Sequence, residues 1–373
     1  MKRKGFTLIE LLAVIVILAI IALIATPIVL DIIEDSKNSS IKRSIELYAD
    51  AVENSVAKAQ LNGNVVPSGK YTTTDGKTLT QGNTTIKVDY DGAKTVCDVY
   101  ISSEGTVSLK KCNVSDKDVE YIYGNKIYDN GEVVYFNVTT GEKCSSSDYK
   151  ESQSNTGVNS GCMKFYAFNY DGGDTVNLLL DHNTTATIAW NSSESNTSGP
   201  NEILEQLKTD TASWKGTITP SNYTMDQTGQ ESNAKYTIDY GSYKARLITA
   251  QEIAQITGNT AWNETTASYN DGYYFDTKSQ TKSDTCKSEN TSGCKYGWLY
   301  DRTSTYCDKS GCLNNSDVKT SGYWSVSSLA ADSGCASTAW NVSSAGEVSF
   351  INVGTSDHYG VRPVITVLKS QLN

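Results

Sequence analysis

Polarity divides the chain near its start. Positions 6–30, from Phe6 to Leu30, are apolar almost throughout and carry a single charge at Glu10. A helix over these roughly 25 positions is about 37 Å long, enough to cross a bilayer. Lys2, Arg3 and Lys4 precede it and favour a cytoplasmic start. After Leu30 the pattern becomes periodic: Ile41, Ile45, Tyr48, Val52 and Val56 recur at spacings of four, three, four and four, one helical face. Lys42, Arg43, Asp50 and Glu53 fall on other faces, and Asn62-Gly63 supplies a stop. The pattern predicts one long helix, its first half apolar all round and its second half amphipathic and seated on a sheet.

Beyond residue 63, alternation replaces helical periodicity. Thr84–Tyr90, Thr95–Ser102 and Thr106–Val114 read as strands of a small antiparallel head over 64–125. A two-residue turn at Glu104-Gly105 would pair Ser103 with Thr106 and set Cys97 opposite Cys112, within disulfide reach. That register also sets Val99 opposite Lys110, so the apolar faces match poorly. From 126 onward, Asn201 is placed to cap a short helix over Glu202–Leu207. Thr249-Ala250-Gln251-Glu252 is a capping-box pattern, followed by Ile253, Ile256 and a stop at Gly258. The tail reads as strands at Gly322–Ser325, Ala339–Val342 and Gly360–Ile365, with a turn at Gly346. The expected class is α+β, divided into a leader (1–5), an apolar helix (6–30), a helix and β head (31–125) and a polar β-rich module (126–373).

Composition narrows the function. Tyr (23) far outnumbers Phe and Trp (6 each), and Ser, Thr, Asn and Gly dominate the body, a mixture suited to short strands and many turns. A net charge of −10 repels phosphate backbones, so no strong nucleic-acid binding is expected. Nine cysteines beside two histidines point to an oxidising compartment. They fall into near neighbours, Cys97 with Cys112, Cys144 with Cys162, Cys286 with Cys294 and Cys307 with Cys312, leaving Cys335 over. Spacing alone does not fix the connectivity. No C-x-x-C occurs and His182 and His358 are remote from the cysteines, so neither metal nor cofactor is expected.

Glu10 is the informative exception in the apolar run. A carboxylate inside a membrane costs about 2.5–3.5 kcal/mol even on the lenient insertion scale. A secretory signal cut near Ala22–Ala25, a plain anchor and a buried core helix all leave it unexplained. Its charge calls for a cation, and a new amine at Phe6 would supply one. Gly5-Phe6-Thr7-Leu8-Ile9-Glu10, after a short basic leader, resembles the type IV prepilin motif. The resemblance covers about the first 30 residues. It implies cleavage after Gly5 by a prepilin peptidase, N-methylation of Phe6, and a Glu10 carboxylate offered to the Phe6 amine of a neighbouring subunit. Pro27 matches a proline common in these helices and should kink or locally melt the helix.

A second resemblance lies within 165–370. Ala245–Glu252 is similar to the arginine-leucine-x-threonine-x-x-glutamate helix start of formylglycine-generating-enzyme-like domains, and Gly360-Val361-Arg362-Pro363 to their closing motif. It implies a C-type-lectin-like fold. The enzymes' cysteine after the closing arginine is here Pro363, so their chemistry does not carry over. Gly199-Pro200-Asn201-Glu202 only grazes a lectin calcium signature and reads better as a turn and cap. His182 has no nucleophile motif beside it and reads as a surface or strand-end residue. Arg362 reads as an ion-pair or carbonyl-binding group. The Asn-x-Ser/Thr triplets, Asn38, Asn83 and Asn341 among them, follow from composition. The expected protein is therefore a non-enzymatic type IV pilus subunit, in a minor or tip role with an adhesive module. Its expected partners are the peptidase, other pilins, the assembly machinery, the membrane before assembly, and host or surface glycans. It would move from the bacterial cytoplasmic membrane to an extracellular filament. The competing readings are a pseudopilin of a secretion or DNA-uptake system and a membrane-tethered carbohydrate-binding ectodomain.

Overall fold

The computed structural model describes residues 8–102, 105–119, 122–124, 126–149, 161–282, 285–286, 291–301, 307–308, 311–312, 320–330 and 337–372, leaving aside the side chains of Glu10, Ile24, Ala25, Pro27, Ile28 and Asp308. The chain is α+β and forms two compact units, 1–127 and 128–373, each with its own core.

In the first unit, α1 (Leu8–Leu61) is continuous. Its stop is built as the sequence suggests: the Asn62 and Asn64 N–H groups donate to the Lys58 and Ala59 carbonyls, and Gly63 turns with φ 79°. The helix also runs unbroken through position 27, so of the kink or local melting expected at Pro27, melting does not occur. Proline removes one donor, which costs one hydrogen bond, while the turns on either side persist. The described residues then form the strands β1 (Gly69–Tyr71), β2 (Thr78–Gln81), β3 (Thr84–Lys87), β4 (Thr95–Ile101), β5 (Val107–Val114) and β6 (Lys117–Val119). They form a sheet in the order β1-β4-β5-β6 and a separate β2–β3 hairpin. The strand expected over 84–90 ends at Lys87. Ile45, Tyr48, Ala49, Val52 and Val56 of α1 are fully covered by Tyr71, Leu79, Val99, Ile101, Val107 and Leu109, so the stripe read at helical spacing is the seat of the helix.

The β4–β5 register differs from the two-residue turn. Ser102 N–H donates to the Thr106 carbonyl and Gly105 takes φ 86°, a three-residue connection with a glycine in the left-handed region. Val99 then faces Leu109 rather than Lys110. A bulge between Val96 and Asp98, with Lys111 at φ 51°, absorbs the offset. It brings Cys97 and Cys112 to a Cα separation of 4.1 Å, where they are disulfide-bonded. One extra residue thus reconciles the apolar faces with the disulfide.

The second unit contains β7 (Val133–Asn137), β8 (Glu142–Lys143), β9 (Cys162–Phe168), β10 (Thr175–Leu180), α2 (Glu202–Thr211), β11 (Thr217–Ile218), β12 (Tyr223–Asp226), β13 (Lys235–Ile238), α3 (Ala250–Thr257) and β14 (Tyr273–Tyr274). Then come α4 (Gly297–Tyr300), β15 (Cys307–Asp308), β16 (Gly311–Cys312), β17 (Gly322–Ser328), β18 (Thr338–Ser343), β19 (Glu347–Asn352), β20 (Tyr359–Gly360) and β21 (Val364–Leu368). Two larger sheets run β11-β21-β10-β9-β7-β8 and β14-β19-β18-β17-β20. Phe168, Leu179 and Val364 of the first meet Tyr323, Trp340, Val342 and Val348 of the second in one buried cluster with α3. At the start of α3, Thr249 accepts from the Glu252 N–H while the Glu252 carboxylate accepts from the Thr249 N–H, and Gly258 closes the helix at φ 74°. Asn201 does not cap α2: its backbone is already helical and its side chain makes no cap bond. The adjacent Glu202 carboxylate is engaged instead by the Ser192 N–H and hydroxyl.

Candidate functional site

The site proposed from sequence begins at the amino end of α1. Gly5 and Phe6 lie outside the described residues. Glu10 and Pro27 occupy helical positions in α1. Around them the helix presents bare apolar surface: Leu8 is 87% and Ile9 74% exposed, and the exposure continues through Leu11, Leu18, Ile21 and Leu30 to Ile33. No side chain N-terminal to Ile45 is buried among those described, so the amphipathic half is seated and the apolar half is not. A contiguous apolar surface of this extent belongs against lipid or against other apolar helices. Among the described residues no helix is long and apolar enough to cross a membrane. The expected 6–30 span includes Phe6, Thr7 and the five α1 side chains outside that set.

The four cysteine pairs are joined as disulfides, Cys97–Cys112, Cys144–Cys162, Cys286–Cys294 and Cys307–Cys312, and Cys335 lies outside the described residues. Asp276 stands beside Cys286 and Cys294, but sulfurs bonded to each other offer no thiolate to a metal.

Charged groups buried in the second unit are tied to its frame. Arg362 is fully buried, with Nε and Nη1 donating to the Leu180 and Leu299 carbonyls and Nη2 to the Trp298 carbonyl at 3.0 Å. Its guanidinium also lies 5.0 Å from the centre of the Tyr323 ring. Arg246 makes a two-pronged contact with the Glu252 carboxylate, at 2.8 and 2.6 Å. The two arginines of the lectin-like resemblance therefore hold backbone and a helix start in place.

His182 is buried rather than at the surface. It follows the end of β10, and its Nδ1 lies 2.7 Å from Oδ1 of the equally buried Asp181. Burial pushes the Asp181 carboxyl up, but His182, Lys164 and Arg362 outweigh it and hold the group below the ordinary carboxylate range. Sequence reading missed this pair. The available signal was its position just after the apolar run Leu178–Leu180, which carries strand burial into the next turn. Glu264 is the contrasting case: burial raises its carboxyl against hydrogen bonds from Ser327 and the Gln251 N–H.

A search of protein families finds the prokaryotic N-terminal methylation motif over residues 1–26. No curated protein and no solved structure matches the chain. The motif makes the amino end of this chain type IV pilin- or pseudopilin-like.

Proposed function

We propose that the chain is a structural, non-enzymatic subunit of a type IV pilus, cut after Gly5, methylated at Phe6 and assembled through the apolar half of α1. The observation that carries the reading is the coincidence of the methylation motif over 1–26 with a half-helix whose apolar surface is uncovered while its other half is seated on a β head. In the assembled state this surface packs against the same surface of neighbouring subunits, and Glu10 meets the Phe6 amine. A prepilin peptidase, other pilins and the assembly machinery are the partners this requires. The precursor resides in the cytoplasmic membrane and the product in a surface filament.

The second unit refines the role. It adds two larger sheets, two strand pairs and three further disulfides beyond the β head, which favours a minor or tip subunit with an adhesive module over a bulk repeating unit. Its resemblance to C-type-lectin-like modules rests on two short sequence motifs alone, Ala245–Glu252 and Gly360–Pro363. Mass spectrometry of the amino terminus in sheared surface material tests the reading. A chain starting at N-methylated Phe6 supports it, and one starting at Met1 or cut near Ala25 sinks it.

A further inference from the structure

Two adjoining hollows on the second unit combine aromatic faces with uncommitted amides. The first, of ≈ 270 Å³, is bounded by Trp262, Tyr273, Asn259 and Asn270. The second, of ≈ 210 Å³, is bounded by Tyr269, Tyr274, Ser349 and Phe350. Gly272 and Gln280 line both, so the hollows share a border.

The ground under them is braced. Ser268 donates from its N–H and hydroxyl to the Asp271 carboxylate, both at 2.8 Å, fixing the short 3-10 turn Tyr269–Asp271. Tyr274 and Ser279 form a bridge, with the Tyr274 N–H donating to the Ser279 carbonyl at 2.8 Å. Gln280 Nε2 donates to the Asn270 carbonyl at 2.7 Å and ties that bend to the 3-10 turn. Trp262 Nε1 donates to the Asp271 carbonyl at 2.9 Å. The walls are thus set before any ligand arrives, which lowers the ordering cost of binding.

Against this frame, the groups that remain available suit one ligand chemistry. Tyr269 is 46% exposed, and Tyr274 and Phe350 are partly exposed. Among the described residues, the Asn259 and Asn270 side-chain amides and the Ser349 hydroxyl make no hydrogen bond. Aromatic faces carry partial negative charge and attract the C–H faces of sugar rings, while amides can both donate to and accept from hydroxyls. Asp271 and Glu347 against Lys278 leave the lining with an excess of negative charge, which disfavours acidic ligands. An apolar peptide anchor would find too few aliphatic walls.

We infer that these hollows form one binding groove for a neutral carbohydrate, with Tyr269, Tyr274 and Phe350 as stacking faces and Asn259, Asn270 and Ser349 as hydroxyl partners. This rests on the adhesive reading of the second unit and supplies its site. It does not depend on processing at Gly5, so the two can fail separately.

The test is saturation-transfer NMR on the full chain in a non-glycosidic detergent. The probes are neutral gluco-, manno-, galacto- and N-acetylhexosamine oligosaccharides, with sialylated oligosaccharides as the acidic comparison. Transfer to ring C–H protons of a neutral probe is expected. Tyr269→Ala and Phe350→Ala should each weaken it about tenfold, as expected for losing a stacking face. Tyr269→Phe should retain it, as should Glu205→Ala, since Glu205 of α2 lines a separate hollow with Tyr236 and Tyr243. Phe350 packs on Trp340, so Tyr269→Ala, at the more exposed position, keeps the test decisive if the Phe350 variant misfolds. Transfer to no neutral probe, transfer only to acidic probes, or transfer undiminished in Tyr269→Ala overturns the assignment.

Discussion

Arg362 shows how much a single buried side chain can hold together. Its guanidinium satisfies carbonyls of Leu180, Trp298 and Leu299, which come from two distant parts of the chain. Arg362→Met keeps much of the volume but takes the guanidinium donor from the Leu180 and Trp298 carbonyls, a loss of about 1–3 kcal/mol each, while the Leu299 carbonyl keeps the Tyr323 hydroxyl at 2.9 Å. Urea unfolding followed by tryptophan fluorescence should register a loss of about 3–4 kcal/mol. Two buried carboxylates should give opposite pH slopes in the same assay. The folded-state pKa of Asp181 is depressed, so its stabilisation is present above the unfolded value of about 4 and is lost as pH falls through the folded value. Asp181→Asn should remove that acid-limb slope. The folded-state pKa of Glu264 is raised, so its contribution is full below the unfolded value and is lost as pH rises through the folded one. Glu264→Gln should therefore gain relative to the parent chain as pH rises from 4 to 7. Parallel slopes in parent and variants would refute both assignments. At Glu10 the expectation concerns assembly. Glu10→Gln relieves an insertion cost of about 2.5–3.5 kcal/mol, so the precursor should still insert and be cut. Filament yield should nonetheless fall, as counted by electron microscopy of sheared material.

Elements were legible in the sequence where one periodicity ruled. The seated half of α1, its stop at Asn62-Gly63 and the capping box of α3 each follow from a local rule, and each is present in the fold. What escaped was set by competition between rules. In β4–β5 the cysteines demand one register and the apolar faces another, and a bulge meets both by placing Lys111 in the left-handed region. A bulge leaves no compositional mark when its strained residue is a lysine, so alternation alone could not locate it. Asn201 failed as a cap for a similar reason: it has the right side chain, but its helical backbone leaves that side chain without a cap bond. His182, read as a surface or strand-end residue, does follow the end of β10, but its 2.7 Å contact with Asp181 gives both polar groups a partner and lets them be buried. The strain at Lys111 is open to measurement. Left-handed backbone costs a non-glycine residue roughly 1–2 kcal/mol, partly offset by glycine's greater freedom when unfolded. Lys111→Gly should therefore slow hydrogen exchange in β4 and β5 slightly, and Lys111→Val should speed it. Equal exchange in the two variants would count against the bulge.

At the scale of the whole molecule, the decisive feature is an imbalance within the first unit. The half of α1 from Ile45 onward is covered by the sheet, while large apolar side chains from Leu8 to Ile33 face outward. Each such side chain gains about 1.5–3 kcal/mol on full burial, so together they far exceed the few kcal/mol that stabilise a domain. An environment that covers them is therefore required, either lipid or the helices of other subunits. Removing residues 1–33 should abolish that demand without touching the seated stripe that begins near Ile41. The trimmed chain should sediment as a single small species in detergent-free buffer, whereas the full chain should aggregate or partition into micelles. All six tryptophans lie in the second unit, so their fluorescence and its urea midpoint should be the same in both forms to within about 0.5 kcal/mol. If the trimmed chain still self-associates strongly without detergent, apolar burial by the half-helix is not what drives assembly. A trimmed chain that stays dispersed while the full-length form builds filaments would place the assembly energy in the uncovered half-helix.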